Sequence, residues 1–234
     1  VSKNLDANSN ARVNAHGALP AYAHYDVLDK RDSPSWDDAT RSVIDDRIGT
    51  RDEPAWCTAD EWRTLRALCA VIIPQPDSRC AANRRPVPLA ALVDRKIAGN
   101  KTDGYRNASL PGLQQAWRIG LCALDDESRH RYQAAFAELD DHARIALVQA
   151  MEHGTLKRDS WQGMPSKLFF RQRVLHDLCT TYYAHPSSWS DIGFGGPANP
   201  RGYVRMTFNR RDPWEAVEST GEHSASEPET HRAR

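Results

Sequence analysis

The apolar residues of this chain recur at helical spacing almost from end to end, and nothing alternates at the period of two that a half-buried strand needs. Trp62, Leu65, Leu68, Cys69 and Ile72 form one stripe that ends at Pro74, and Leu89, Leu92, Val93 and Ile97 form a second. Leu113, Ala116, Trp117, Gly120, Leu121 and Leu124 make a third, and Phe169, Phe170, Val174, Leu175, Leu178, Cys179 and Tyr182 a fourth. A chain of 234 residues patterned in this way can bury a full core. The expected architecture is all-α, a bundle-like single domain of about six or seven helices with a long irregular C-terminal ribbon.

Local signals mark where these helices start and stop. Ser35 and Asp38 suit the start of a short helix running to about Ile48, with Trp36, Ala39, Val43 and Ile44 on one side. Thr58-Ala59-Asp60-Glu61 is a capping box, in which hydroxyl and carboxylate satisfy free amides reciprocally. Gly99 stands where a left-handed cap would close the second stripe. Helices are expected from about Asp126 to Leu139 and from Asp141 to Glu152, with Asp140 as the N-cap between them. The longest is expected to start near Pro165 and stop at His185-Pro186. These signals divide the chain into an N-terminal extension (1–24), a helical domain (25–186), a ribbon rich in aromatics, glycine and proline (187–214) and a tail of disordered composition (215–234).

Charge and hydropathy narrow the function classes. Thirty-one Lys and Arg against 31 Asp and Glu leave no net field to favour nucleic acid or an anionic membrane. Mean hydropathy is −0.68, and no run approaches the roughly 18 to 20 apolar residues of a membrane-spanning helix. The first 24 residues lack the short apolar core of a secretory signal, and neither Arg84-Arg85 nor Arg210-Arg211 precedes an apolar stretch. The expectation is a cytoplasmic location, or export to the periplasm together with a partner.

The ribbon contains Gly193, Gly195 and Ala198 in the spacing G-x-G-x-x-A of a dinucleotide loop. Such a loop needs a strand before it and a helix after it, whereas here a helix precedes, Pro197 removes an amide donor and Pro200 blocks helix entry. The glycines therefore answer to something other than a cofactor. Trp189, Ile192, Phe194, Tyr203, Phe208 and Trp214 would leave a large apolar area in water unless covered. They are expected to pack, either on the chain's own helices or on another protein, and the residues leave both readings open. Candidate contacts are Trp189, Ile192, Phe194, Gly195, Gly196 and Pro197, with Tyr203 as a further aromatic anchor and Arg201 and Arg205 as polar contacts.

No constellation points to catalysis. His176 and Cys179 lie three apart on one helix, without a further metal ligand at useful spacing. His130, His142 and His153 fall on polar faces, and Ser160 lacks the setting of a nucleophile. The pairs Asp45-Asp46, Asp125-Asp126 and Asp140-Asp141 read as helix-start acids. Lys167, Arg171 and Arg173 read as a solvated face, or as the counterpart of an acidic patch on a partner. Cys69, Cys122 and Cys179 fall on apolar faces as small hydrophobes, while Cys57 and Cys80 flank one helix within possible reach of each other. No catalytic, cofactor-binding or metal residue is assigned.

The segments CTADEWRTLRALCAVIIPQ, VPLAALVDRKIAG, SKLFFRQRVLHDLCTTYYAHPSSW and IGFGGPANPRGYVRM resemble the gluconate 2-dehydrogenase subunit 3 family, and YDVLDKRDSPSWDDATR resembles a leader found in one of its branches. Together they run in the family's order from Tyr25 to Trp214. The resemblance implies a small, non-catalytic subunit paired with a flavin-dependent dehydrogenase of the glucose–methanol–choline class. That large subunit would carry FAD and the sugar or polyol pocket. The small one would support its folding, stability and export, with electrons leaving through a haem c subunit or a soluble acceptor. A self-sufficient helical enzyme or metal protein, or a scaffold for an unrelated protein, are the other readings.

Overall fold

The computed structural model describes residues 22, 25–75, 86–100, 104, 107–197, 212 and 214–216. Among them are seven helices and no strand, as the periodicity predicts. They are α1 (Asp38–Ile48), α2 (Ala59–Ile72), α3 (Leu89–Ala98), α4 (Leu113–Tyr132), α5 (Asp141–His153), α6 and α7 (Pro186–Ile192). Helix α6 has three consecutive parts, Ser166–Phe169, the π-helical turn Phe170–Leu175 and His176–Tyr183. Short 3-10 turns cover Val27–Lys30, Phe136–Glu138 and Asp159–Trp161. The chain divides into two compact units, one of residues 38–188 and one drawn from the two ends.

In the 38–188 unit the capping box forms as the spacing requires: Thr58 Oγ1 accepts from the Glu61 amide, and the Glu61 carboxylate accepts from the Thr58 amide at 2.9 Å. The loop entering it is held by Asp94, a fully buried carboxylate of α3 that accepts from the amides of Ala55, Trp56 and Cys57. Three partly buried donors are satisfied by one buried side chain. The core joins Leu65 and Leu68 of α2, Ile97 of α3, Trp117, Leu121 and Leu124 of α4, and Phe169 of α6. The Phe169 ring lies against Gly120, where a Cβ would stand 2.1 Å from its Cζ, and meets Trp117 and Trp161 edge-on at 5.4 and 5.9 Å. Gly120 thus belongs to the apolar stripe as the hollow that receives a ring.

Several expected boundaries are displaced. Helix α4 runs unbroken for 20 residues and ends with Gln133 in the left-handed region (φ 57°), so no helix spans Asp126 to Leu139. Asp125 does not cap a helix start there: its Oδ1 accepts from the Phe136 amide at 2.9 Å, pinning the turn that follows α4. Asp140 does cap α5, accepting from the Ala143 amide at 2.8 Å. Gly99 is right-handed (φ −70°), and Asn100 takes the positive φ of 45° instead. Ala39 and Val43 are exposed, as are Cys122 and Cys179, while Cys57 is a free thiol and Cys80 lies outside the described residues. Pro186, expected to stop a helix, begins α7 as its first residue.

The π-helical turn explains which side of α6 is buried. Phe170, Val174, Leu178 and Tyr182 keep a spacing of four, and at about 100° per residue an α-helix drifts about 40° with each such step. Over three steps the stripe would rotate off the core. Six residues in the wider π turn take up that drift, so Phe169, Phe170, Val174 and Leu178 are all buried in one core. The same rotation carries Arg173 and Asp177 inside and leaves Arg171, His176 and Cys179 exposed. Arg173 is therefore no part of a solvated face.

Candidate partner interface

Helix α7 is built by two caps. At its start, Nδ1 of buried His185 accepts from the amide of Ser187 at 3.2 Å, so the imidazole does the work of an N-cap ahead of Pro186. An amide can only donate, so Nδ1 is the acceptor and the ring is neutral; burial holds its pKa below the ordinary value, and a hydrogen bond with the backbone of Arg47 opposes that shift. At its end Gly193 adopts φ 66°, and the Phe194 amide donates to the carbonyl of Trp189 at 2.9 Å. This is a Schellman closure, and its customary apolar contact is present as Phe194 standing edge-on to Trp189 at 5.6 Å.

The glycines that follow serve close packing. Gly196 (φ 74°) lies between two indoles: a Cβ there would meet Trp36 at 3.0 Å and Trp189 at 3.1 Å. At Gly193 a Cβ would stand 2.6 Å from the Tyr22 ring, and at Gly195 it would stand 3.2 Å from Lys30 Nζ. Lys30, itself buried, holds its ammonium 5.2 Å from the centre of the Trp36 ring. Burial lowers the Lys30 pKa, and the charge of Glu215 opposes that shift. Ser190 ties the two stretches of chain together, accepting from the Val27 amide at 3.1 Å and donating to Asp26 Oδ1 at 3.4 Å. Asp26 in turn caps the turn Val27–Lys30 through the Leu28 amide.

The expected contact residues separate accordingly. Trp189 (3% exposed) and Gly196 are turned inward against the N-terminal stretch, while Ile192 (48%), Phe194 (43%) and Pro197 face outward and Gly195 is half-buried. Arg201, Tyr203 and Arg205 lie outside the described residues. Self-packing and an outward apolar face thus coexist in one short segment. Trp36, Lys30 and Ser190 were not anticipated as its partners. The pairing of Gly193 with Phe194 directly after a helical stripe was the available signal for the turn.

The other residues singled out have structural employment or lie in water. His130, His142, His153, His176 and Cys179 are exposed. Asp126 pairs with Arg158 at 2.8 Å, a contact that holds its carboxyl low. Among the described residues, no group of three or more His, Cys, Asp or Glu is disposed to hold a metal ion. A cleft of about 300 Å³ lies beside Ile48, Thr50, Asp52, Val87 and His185. Its one acid, Asp52, is already paired with Arg66 at 3.3 Å.

No helix of the described residues is long and apolar enough to cross a membrane. The searches of curated proteins and of solved structures found no match. The family model described as gluconate 2-dehydrogenase subunit 3 matches residues 59–196, more than half of the chain, from the start of α2 to the glycine between the two indoles. With helices, order of segments and family model in agreement, this chain belongs to the gluconate 2-dehydrogenase subunit 3 family.

Proposed function

We propose that this chain is the non-catalytic small subunit of a flavin-dependent dehydrogenase acting on CH–OH groups of sugars or related alcohols. The chain stabilises a large subunit of the glucose–methanol–choline class, which carries FAD, and travels with it where the complex is exported. A haem c subunit or a soluble acceptor takes the electrons. Family membership supports a place in a dehydrogenase complex. The observation that carries the docking role is the segment from Trp189 to Pro197: Trp189 is locked inward, and Ile192 and Phe194 stand outward on a backbone braced by two caps. Rigid apolar side chains presented on an ordered backbone lose little entropy on docking, which is how interface anchors gain affinity.

The test is co-expression of the large subunit with and without this chain. The expected result is that the chain raises the yield of soluble, flavin-loaded large subunit, and that deleting residues 189–203 removes the effect. A large subunit that folds, binds FAD and turns over equally well alone would overturn the proposal. Bound flavin or dehydrogenase activity in the purified small chain would do the same.

A further inference from the structure

Arg173 sits on the inner side of the π-helical turn, 5% exposed, and its side chain makes no hydrogen bond or ion pair with any described residue. Its Nε is sealed from solvent without an acceptor. The buried acid one turn further on, Asp177, is already engaged: Oδ1 pairs with Lys96 at 2.9 Å, and Oδ2 accepts from Trp117 Nε1 at 2.8 Å. No Asp or Glu occurs from Ser166 to His176, so the helix offers no nearer counter-charge of its own.

A guanidinium is always charged and carries five donors, and a buried charge left unpaired is among the costliest features a fold can retain. Native structures pair such groups, and an orphan calls for a specific account. The π turn itself is explained by the spacing of the apolar stripe. That explanation accounts for the burial of Arg173 but not for an arginine standing there, since an apolar residue would fill the same place without the desolvation. A planar fork of donors matches carboxylate and phosphate geometry, and the side chain of a protein partner that offers it is an Asp or Glu.

We propose that Arg173 receives a carboxylate side chain of the dehydrogenase large subunit at its remaining exposed atoms. The inference rests on the subunit role argued above and adds a polar contact on α6, a different element from the outward-facing Ile192 and Phe194. The unpaired cation is then a cost carried by the free subunit and relieved in the complex. Such a contact selects the correct partner, because a surface without the acid leaves the charge buried and unmatched.

The experiment compares wild type, Arg173→Met and Arg173→Lys, each as the full chain, alone and with the co-expressed large subunit. Arg173→Met is expected to leave the melting temperature of the free chain unchanged or raised, and to weaken the complex by about 10- to 100-fold. Arg173→Lys, which keeps the charge and loses the fork, is expected to fall between. A methionine variant that folds and binds within about twofold of wild type would overturn the proposal. Hydrogen exchange on the wild-type pair reads the same question without a substitution: amides of Phe170–Leu175 should gain protection on complex formation, and unchanged exchange there would overturn it. If the wild-type chain forms no complex at all, the subunit role fails and this inference with it. A complex that forms normally but ignores Arg173 removes only the inference.

Discussion

Phe194 donates its amide to the carbonyl of Trp189 at 2.9 Å while its ring stands edge-on to the same residue's indole, the two planes 89° apart. One residue is thereby half a helix cap and half an outward apolar surface. Both roles follow from Gly193, whose φ of 66° closes the helix.

Gly196→Ala should be costly. The residue adopts φ 74° and an added methyl would press on both Trp36 and Trp189. Left-handed strain alone is worth about 1–3 kcal/mol. The expected outcome is a weaker near-ultraviolet circular dichroism signal from the indoles with far-ultraviolet helicity retained, measured beside binding of the large subunit, which should fall.

Ile192→Asp combined with Phe194→Asp reads the outward face. Both side chains are exposed, so the stability cost should be limited to the lost edge-on contact of Phe194 with Trp189, about 0.5–1.5 kcal/mol. Recovery of the large subunit in a pull-down should drop by at least about tenfold if these side chains are anchors. Unchanged recovery would place the docking surface elsewhere.

Gly120→Ala probes the core. The new Cβ would overlap the Phe169 ring, which is fixed between Trp117 and Trp161 and has nowhere to move without disturbing both. Overpacking of this kind costs about 1–3 kcal/mol. Thermal denaturation should show a lowered midpoint, and a variant as stable as wild type would contradict the packing described.

Asp94→Ala removes the acceptor of three partly buried amide donors at once. At about 1 kcal/mol for each hydrogen bond lost, the loss should be about 3 kcal/mol. Denaturant unfolding measures it. Asp94→Asn, which still accepts but gives up the charge, should lose less.

His185 sets a pH dependence. Its pKa is depressed in the folded chain by burial, so the unfolded chain binds the proton more readily. Its contribution to stability is complete above the unfolded value near 6.5 and is lost as pH falls through the folded one. Protonation also removes the lone pair that accepts from Ser187. Acid titration should begin to loosen α7 below about pH 6.5, and His185→Asn, a neutral cap residue, should flatten that part of the profile.

What the sequence determined by itself was what depends on neighbours along the chain. The capping box at Thr58 and Glu61, the Asp140 cap and the apolar stripes all express interactions within a turn or two, and they sufficed for an all-α fold and for the family resemblance. Tertiary structure decided what depends on distant residues. Trp36 reads locally as one side of α1, yet it packs across Gly196, 160 positions away in the chain by their numbers. Arg173 reads as a solvated cation, yet a π turn that lets α6 keep its core contacts rotates it inward. Local bonding fixes where a helix can form, whereas the face it buries follows from the shape of what it packs against, and that shape is assembled from segments far apart in sequence.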